Sequence, residues 1–98
     1  MKFAIIVKPL AVENIQKAYS WYENELIGLG EEFLDEWESL ANHISIYAES
    51  YPKKYKSFRQ TVLKRFPYVV IYEIEGKQVV IYNVINMKRS TKKRFKKR

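Results

Sequence analysis

The chain contains no cysteine, a single histidine and only three glycines. Without cysteine there can be no disulfide, no thiolate metal site and no cysteine nucleophile, which suits a reducing compartment. His43 stands alone, so a transition-metal centre has almost nothing to ligate it. It is read as a solvated residue on the polar side of a helix, near Glu36 and Ser39. Gly28, Gly30 and Gly76 cannot be arranged into a P-loop or a dinucleotide fingerprint, and no cofactor is expected. No serine sits on an elbow motif that would expose a nucleophile. No apolar run approaches the roughly 18 residues of a membrane span. The opening "KFAIIV" is interrupted by Lys8 and Pro9, with no small-residue cleavage site after it. The expectation is a cytoplasmic protein with no membrane partner.

What is present is a globular composition: 47% hydrophobic and 15% aromatic, with eight tyrosines among 98 residues. This length predicts one domain. The net charge of +7 hides a strong asymmetry. Residues 1–50 carry three lysines against nine acids, and residues 51–98 carry fifteen Lys/Arg against two glutamates. Eight of those cations fall in the last eleven residues, "KRSTKKRFKKR". The reading is a domain over 1–87 followed by a basic tail over 88–98. Such a tail favours a polyanion or an acidic partner.

The pattern along the chain predicts an α+β fold. Residues 2–7 suit a short strand, and Lys8-Pro9 suits a helix start. Ile15, Ala18, Tyr19, Tyr22 and Leu26 mark a helical face over about Ala11–Leu26. Gly28-Leu29-Gly30 breaks it. A second helix, about Glu31–Ala48, carries the stripe Phe33, Leu34, Trp37, Leu40, Ala41, Ile44 and Tyr47. Glu31, Glu32, Asp35, Glu36 and Glu38 crowd its first turns, where the helix dipole favours negative charge and the cluster reads as a solvated face. The two helices form an antiparallel hairpin.

A basic loop, "SYPKKYK", leads to a three-stranded antiparallel meander near Phe58–Lys64, Tyr68–Glu75 and Gln78–Ile85, completing one sheet with the N-terminal strand. Gly76 is placed to supply a positive φ in the last turn. Alternation puts Tyr68, Val70, Tyr72, Ile74, Val79, Ile81 and Ile85 on one face. Val69, Ile71, Val80, Tyr82 and Val84 fall on the other. Both faces are apolar, so the one away from the helices needs a cover, from a partner or from the tail or a helix end. Within the basic half, cations and rings alternate: Lys53, Lys54, Tyr55, Lys56, Phe58, Arg59, Lys64, Arg65, Phe66, Tyr68, Lys88, Arg89, Phe95. That interleaving suits phosphates and bases, or simply a solvated surface over core rings.

The order of these elements, with Trp21-Tyr22-Glu23, Gly28-Leu29-Gly30 and Arg65-Phe66-Pro67-Tyr68, resembles the RelE/ParE toxin superfamily of type II toxin–antitoxin systems over nearly the whole chain. The resemblance implies a toxin that arrests growth, as in plasmid stabilisation modules, and a cognate antitoxin that folds over it. The expected acidity of that antitoxin matches the basic half of this chain. It also implies a concave surface approached by Lys64 and Arg65 from one end and by Arg89 from the other.

Members divide by target. ParE-like toxins inhibit DNA gyrase, and RelE-like toxins cut mRNA on the ribosome. In the nuclease branch an arginine occupies the position of Val69, lysines those of Gln60 and Val62, and a terminal tyrosine lies near Phe95. Only Arg89 keeps the expected type, with Lys64 as a substitute, so whether the chain is an enzyme stays open. In the ParE-like branch a histidine often stands at Asn86, and an Asp-Pro at Ser90-Thr91. The favoured reading is ParE-like. The candidate target- or nucleic-acid-binding residues are Arg59, Lys64, Arg65, Asn86, Lys88, Arg89, Lys92 and Lys93. The alternatives are a ribosome-dependent mRNA endoribonuclease and a degenerate nucleic-acid-binding member that touches nucleic acid through its tail.

Overall fold

The computed structural model describes residues 2–88. Strand β1 (Ala4–Val7) is followed by helices α1 (Pro9–Glu25) and α2 (Leu29–Tyr47) and a short 3-10 turn at Ala48–Ser50. Strands β2 (Lys53–Tyr55), β3 (Phe58–Val62), β4 (Tyr68–Glu75) and β5 (Gln78–Asn86) follow among the described residues. The sheet has five strands in the order β1-β5-β4-β3-β2. The meander is therefore longer than expected by one strand. The basic loop folds back on β3, with Lys53 opposite Arg59, and its three residues are all exposed. Short, lysine-bearing edge strands of this kind discourage pairing with a foreign chain. The two strands at the centre, β4 and β5, are the most apolar. The first strand, β1, joins β5 in parallel, Ala4 opposite Gln78 and Val7 opposite Ile81.

The helix hairpin covers one face of the sheet. Pro9 opens α1, where its missing N–H costs nothing. Ala11, Ile15 and Ala18 of α1 are buried with Phe33, Trp37 and Ile44 of α2 against Val70, Tyr72, Val79, Ile81 and Val84. Two residues of the predicted stripes stay outside. Leu26 caps α1 in extended backbone and is exposed, and Tyr47 at the end of α2 is also exposed.

The junction of the two helices explains the Trp-Tyr-Glu and Gly-Leu-Gly segments. The Glu23 carboxylate accepts the N–H of Gly28 through Oε2 and that of Gly30 through Oε1, both at 3.0 Å. It thereby satisfies amides at the start of α2 that have no helical partner, with charge of the favoured sign. Gly28 has φ +93°, which lets the chain reverse there. Gly30 is needed for a different reason. A Cβ there would lie 2.7 Å from the Tyr19 carbonyl oxygen and 2.9 Å from Glu23 Oε1.

The opposite face of the sheet buries Phe58, Val69, Ile71, Val80, Tyr82 and Ile85 without a second chain. The faces expected for Val84 and Ile85 are exchanged. Ile71 lies opposite Asn83 but Tyr72 lies opposite Ile81, so Tyr82 is an extra residue in β5. Such a β-bulge reverses the alternation beyond it, and Val84 joins the helix-side core while Ile85 joins the other. Asn83, at the bulge, is buried and accepts a 2.8 Å hydrogen bond from the Asn14 amide of α1.

Tyr72 is fully buried, and its hydroxyl donates to the Ala48 carbonyl at 2.6 Å. Burial pushes its phenol far above the ordinary value near 10, against a smaller lowering by Arg59. A pKa raised in the folded state contributes stability below the unfolded value and loses it above. We therefore expect stability to be flat with respect to this residue below about pH 10 and to fall as pH rises further. Urea unfolding at pH 8 to 11 on wild type and Tyr72→Phe checks it: the variant should lose less stability across that range.

Candidate target-binding surface at one end of the sheet

Between β3 and β4 the chain makes a tight excursion over Leu63–Pro67. Leu63 and Phe66 are buried, which leaves Lys64 and Arg65 between two anchors and turned to solvent. Phe66 packs against Tyr22 at 4.8 Å and Phe33 at 5.3 Å between ring centroids, both edge-on. Pro67 has a local cause. The Tyr68 N–H donates to the Phe66 carbonyl at 2.7 Å, closing a three-residue turn around a residue whose φ is already fixed. The Pro67 carbonyl then accepts the Met87 N–H at 2.7 Å, tying the excursion to the end of β5.

The acidic start of α2 grips this excursion from the other side. Glu36 accepts the backbone N–H of Lys64 and, at 3.2 Å, that of Arg65. Glu32 pairs with the Arg65 guanidinium at 2.6 Å, and that guanidinium lies 5.5 Å from the centre of the Phe66 ring. The expectation of a merely solvated acidic face is thus corrected for these two residues. Their spacing of four places them on one helix face, a signal available in the sequence. Glu36→Ala should release the excursion: we expect about 1–2 kcal/mol of lost stability. Hydrogen exchange of the Lys64 and Arg65 amides should rise well above that of the α2 core.

Asn86 ends β5 opposite Tyr68, and its Oδ1 accepts the N–H of Lys88 at 2.9 Å. Lys64, Arg65, Asn86 and Lys88 therefore emerge at one end of the sheet. Arg59 does not join them. It sits on β3 opposite Tyr72, and its Nη1 donates to the carbonyls of Tyr51 at 2.6 Å and Glu49 at 3.2 Å. There it fastens the link between α2 and β2. Arg89, Lys92 and Lys93 lie outside the described residues.

Sequence reasoning missed a pocket of about 240 Å³ beside this end, whose walls include Asn14, Lys17, Trp21, Tyr68 and Asn86. Trp21 is 61% exposed, so the first residue of the Trp-Tyr-Glu segment is a surface ring while the second is a core ring. Burial pushes the Tyr22 phenol up, and the neighbouring Tyr68 phenol adds to the shift. The Tyr22 phenol therefore stays protonated at neutral pH. Val62 faces Val69 and Gln60 faces Ile71 across β3 and β4, so these positions hold no group able to transfer a proton. Among the described residues no group of three or more His, Asp or Glu converges as a metal site, and no helix is long and apolar enough to cross a membrane. The surface offers fixed positive charge, carboxamides and rings, which are means of binding.

No curated protein matches the chain. Among solved structures, a chain of a chromosomal ParDE toxin–antitoxin system from P. aeruginosa superposes with a TM-score of 0.75 at 15% identity. That alignment covers 89% of this chain and 98% of the other. At that identity the likeness is one of fold, and it agrees with the strand, helix pair and antiparallel sheet described above. The family model for the ParE toxin of type II toxin–antitoxin systems, parDE, matches residues 5–91. This span takes in both helices, every strand but the first residue of β1, and the Arg65–Tyr68 excursion. The chain belongs to the ParE toxin family of type II toxin–antitoxin systems.

Proposed function

We propose that this chain arrests growth by binding a protein target such as DNA gyrase, and that a cognate acidic antitoxin neutralises it. The observation that carries the reading is the end of the sheet, where Lys64, Arg65 and Lys88 stand beside Asn86. The carboxylates nearest the first two, Glu32 and Glu36, are engaged in holding the excursion. That leaves them poorly placed for the acid and base work that RNA cleavage needs. Fifteen cations against two glutamates in residues 51–98 suit an acidic antitoxin. Residues 1–87 form the toxin domain in this reading, and 88–98 a basic extension.

Two assays on the purified chain test it. Added to gyrase, it should block supercoiling of relaxed plasmid, and Lys64→Ala combined with Lys88→Ala should weaken that block. Added to translating ribosomes with an end-labelled mRNA, it should leave the message intact. Codon-positioned cleavage together with unimpaired gyrase would sink the proposal. Growth arrest in cells should be relieved when the neighbouring antitoxin is co-expressed.

A further inference from the structure

A second recess, of about 300 Å³, lies along α2 and shares only Glu36 and Lys64 with the surface described above. One face of α2 supplies Glu36, Ser39, Leu40 and His43, and the facing wall is Tyr51, Val62 and Lys64. Its construction is specific. Arg59 holds the Tyr51 carbonyl at 2.6 Å, and the Tyr51 ring meets the buried Tyr72 ring edge-on. The Tyr51 hydroxyl so placed lies 2.6 Å from His43 Nδ1. When that hydroxyl donates to Nδ1, the imidazole proton resides on Nε2, which is left free to donate.

The polar groups around the recess divide into spent and unspent. Glu36 is spent on the amides of Lys64 and Arg65. Among the described residues, the Lys64 ammonium, the Ser39 hydroxyl and His43 Nε2 have no hydrogen-bond or ion-pair partner; all three are donors, and one is charged. Leu40 and Val62 give the recess an apolar floor, and Val62 is exposed although it is a valine in a strand. A small concave site with a few convergent polar groups over an apolar floor is the usual form of a ligand pocket.

We infer that this recess binds a small organic anion, a carboxylate carried on a compact apolar group. Lys64 pairs with the carboxylate, and His43 Nε2–H and the Ser39 hydroxyl donate to its oxygens. The apolar body lies on Leu40 and Val62. At roughly 30 Å³ per water, the volume holds about ten non-hydrogen atoms, which is the size of an aryl carboxylate. The site stands on α2 and the Tyr51 loop and shares Lys64 with the target-binding surface proposed above.

The sole histidine makes the test direct, because His43 gives the only imidazole signal in the spectrum. Benzoate is titrated into the full chain at constant pH and ionic strength while the His43 Cε1–H and Nε2 resonances are followed. Saturable shifts are expected, with the Nε2 resonance moving as that nitrogen gains an acceptor. Benzamide, which keeps the ring and loses the charge, should bind about ten-fold more weakly. Acetate, which keeps the charge and loses the ring, should also bind more weakly. Lys64→Gln should weaken benzoate about ten-fold, whereas Lys54→Gln, on the exposed edge strand, should not change it. Equal responses to benzoate and benzamide, or shifts that never saturate, would overturn the proposal. So would a Lys64→Gln chain, folded by its amide spectrum, that binds as wild type does.

Discussion

Phe33→Ala removes about 3–5 kcal/mol of folding free energy, the largest loss expected from any single truncation of α2. Phe33 is completely buried, and three rings surround it: Tyr22 at 5.7 Å, Phe66 at 5.3 Å and Tyr68 at 5.2 Å between centroids. These rings come from α1, from the Leu63–Pro67 excursion and from β4, so no single element can move to fill the hole. The cost should therefore lie toward the top of that range. Urea denaturation followed by circular dichroism measures it. The same substitution removes the support behind Phe66, so target binding should weaken as well. A variant as stable as the parent would mean that α2 turns a different face to the sheet.

Gly30→Ala should cost about 2–3 kcal/mol, the upper part of the range for overpacking. The added methyl would meet the Tyr19 carbonyl oxygen, which belongs to the backbone of α1 and can retreat only if the helix retreats. It would also push the Glu23 carboxylate off the amides of Gly28 and Gly30. Gly28 offers the contrasting control. Nothing lies within 4 Å of a Cβ there, and only its positive φ opposes a side chain. Gly28→Asn should thus be milder than Gly30→Ala, because asparagine tolerates the left-handed region. Thermal unfolding of the two variants side by side distinguishes crowding from backbone strain.

The sequence was most readable where one interaction dominates. Apolar spacing located both helices to within about two residues, and Gly76, with φ +63°, turns the last hairpin as expected. It was least readable where tertiary context decides. No local pattern marks Tyr82 as a bulge residue, since the run Gln78–Asn86 alternates no differently on either side of it. Nor could "PKKY" declare itself an edge strand, because its pairing with β3 depends on a partner outside the window. At the sheet end, Lys64, Arg65 and Asn86 were found through charge and resemblance. In the sequence Trp21 is only part of a motif; its place as an exposed ring beside carboxamides needs the fold. The acidic residues of α2 read as a solvated face for a related reason: composition describes a charged face, but only the fold shows which amides lie opposite.

The parallel pairing of β1 with β5 has a consequence for how the molecule comes into being. Ala4 must wait for Gln78, 74 residues later, before its strand has a neighbour. At translation rates of roughly 5–20 residues per second, that delay is on the order of 4–15 s. The helix hairpin can form in the meantime from local contacts, but β1 has no place in the sheet until β5 has been made. A nascent or prematurely terminated chain therefore lacks β5 and with it Asn86 and Lys88, half of the described sheet-end residues. On the function proposed above, a chain broken before Gln78 cannot assemble the target-binding surface, because the sheet end is built from segments on both sides of the break.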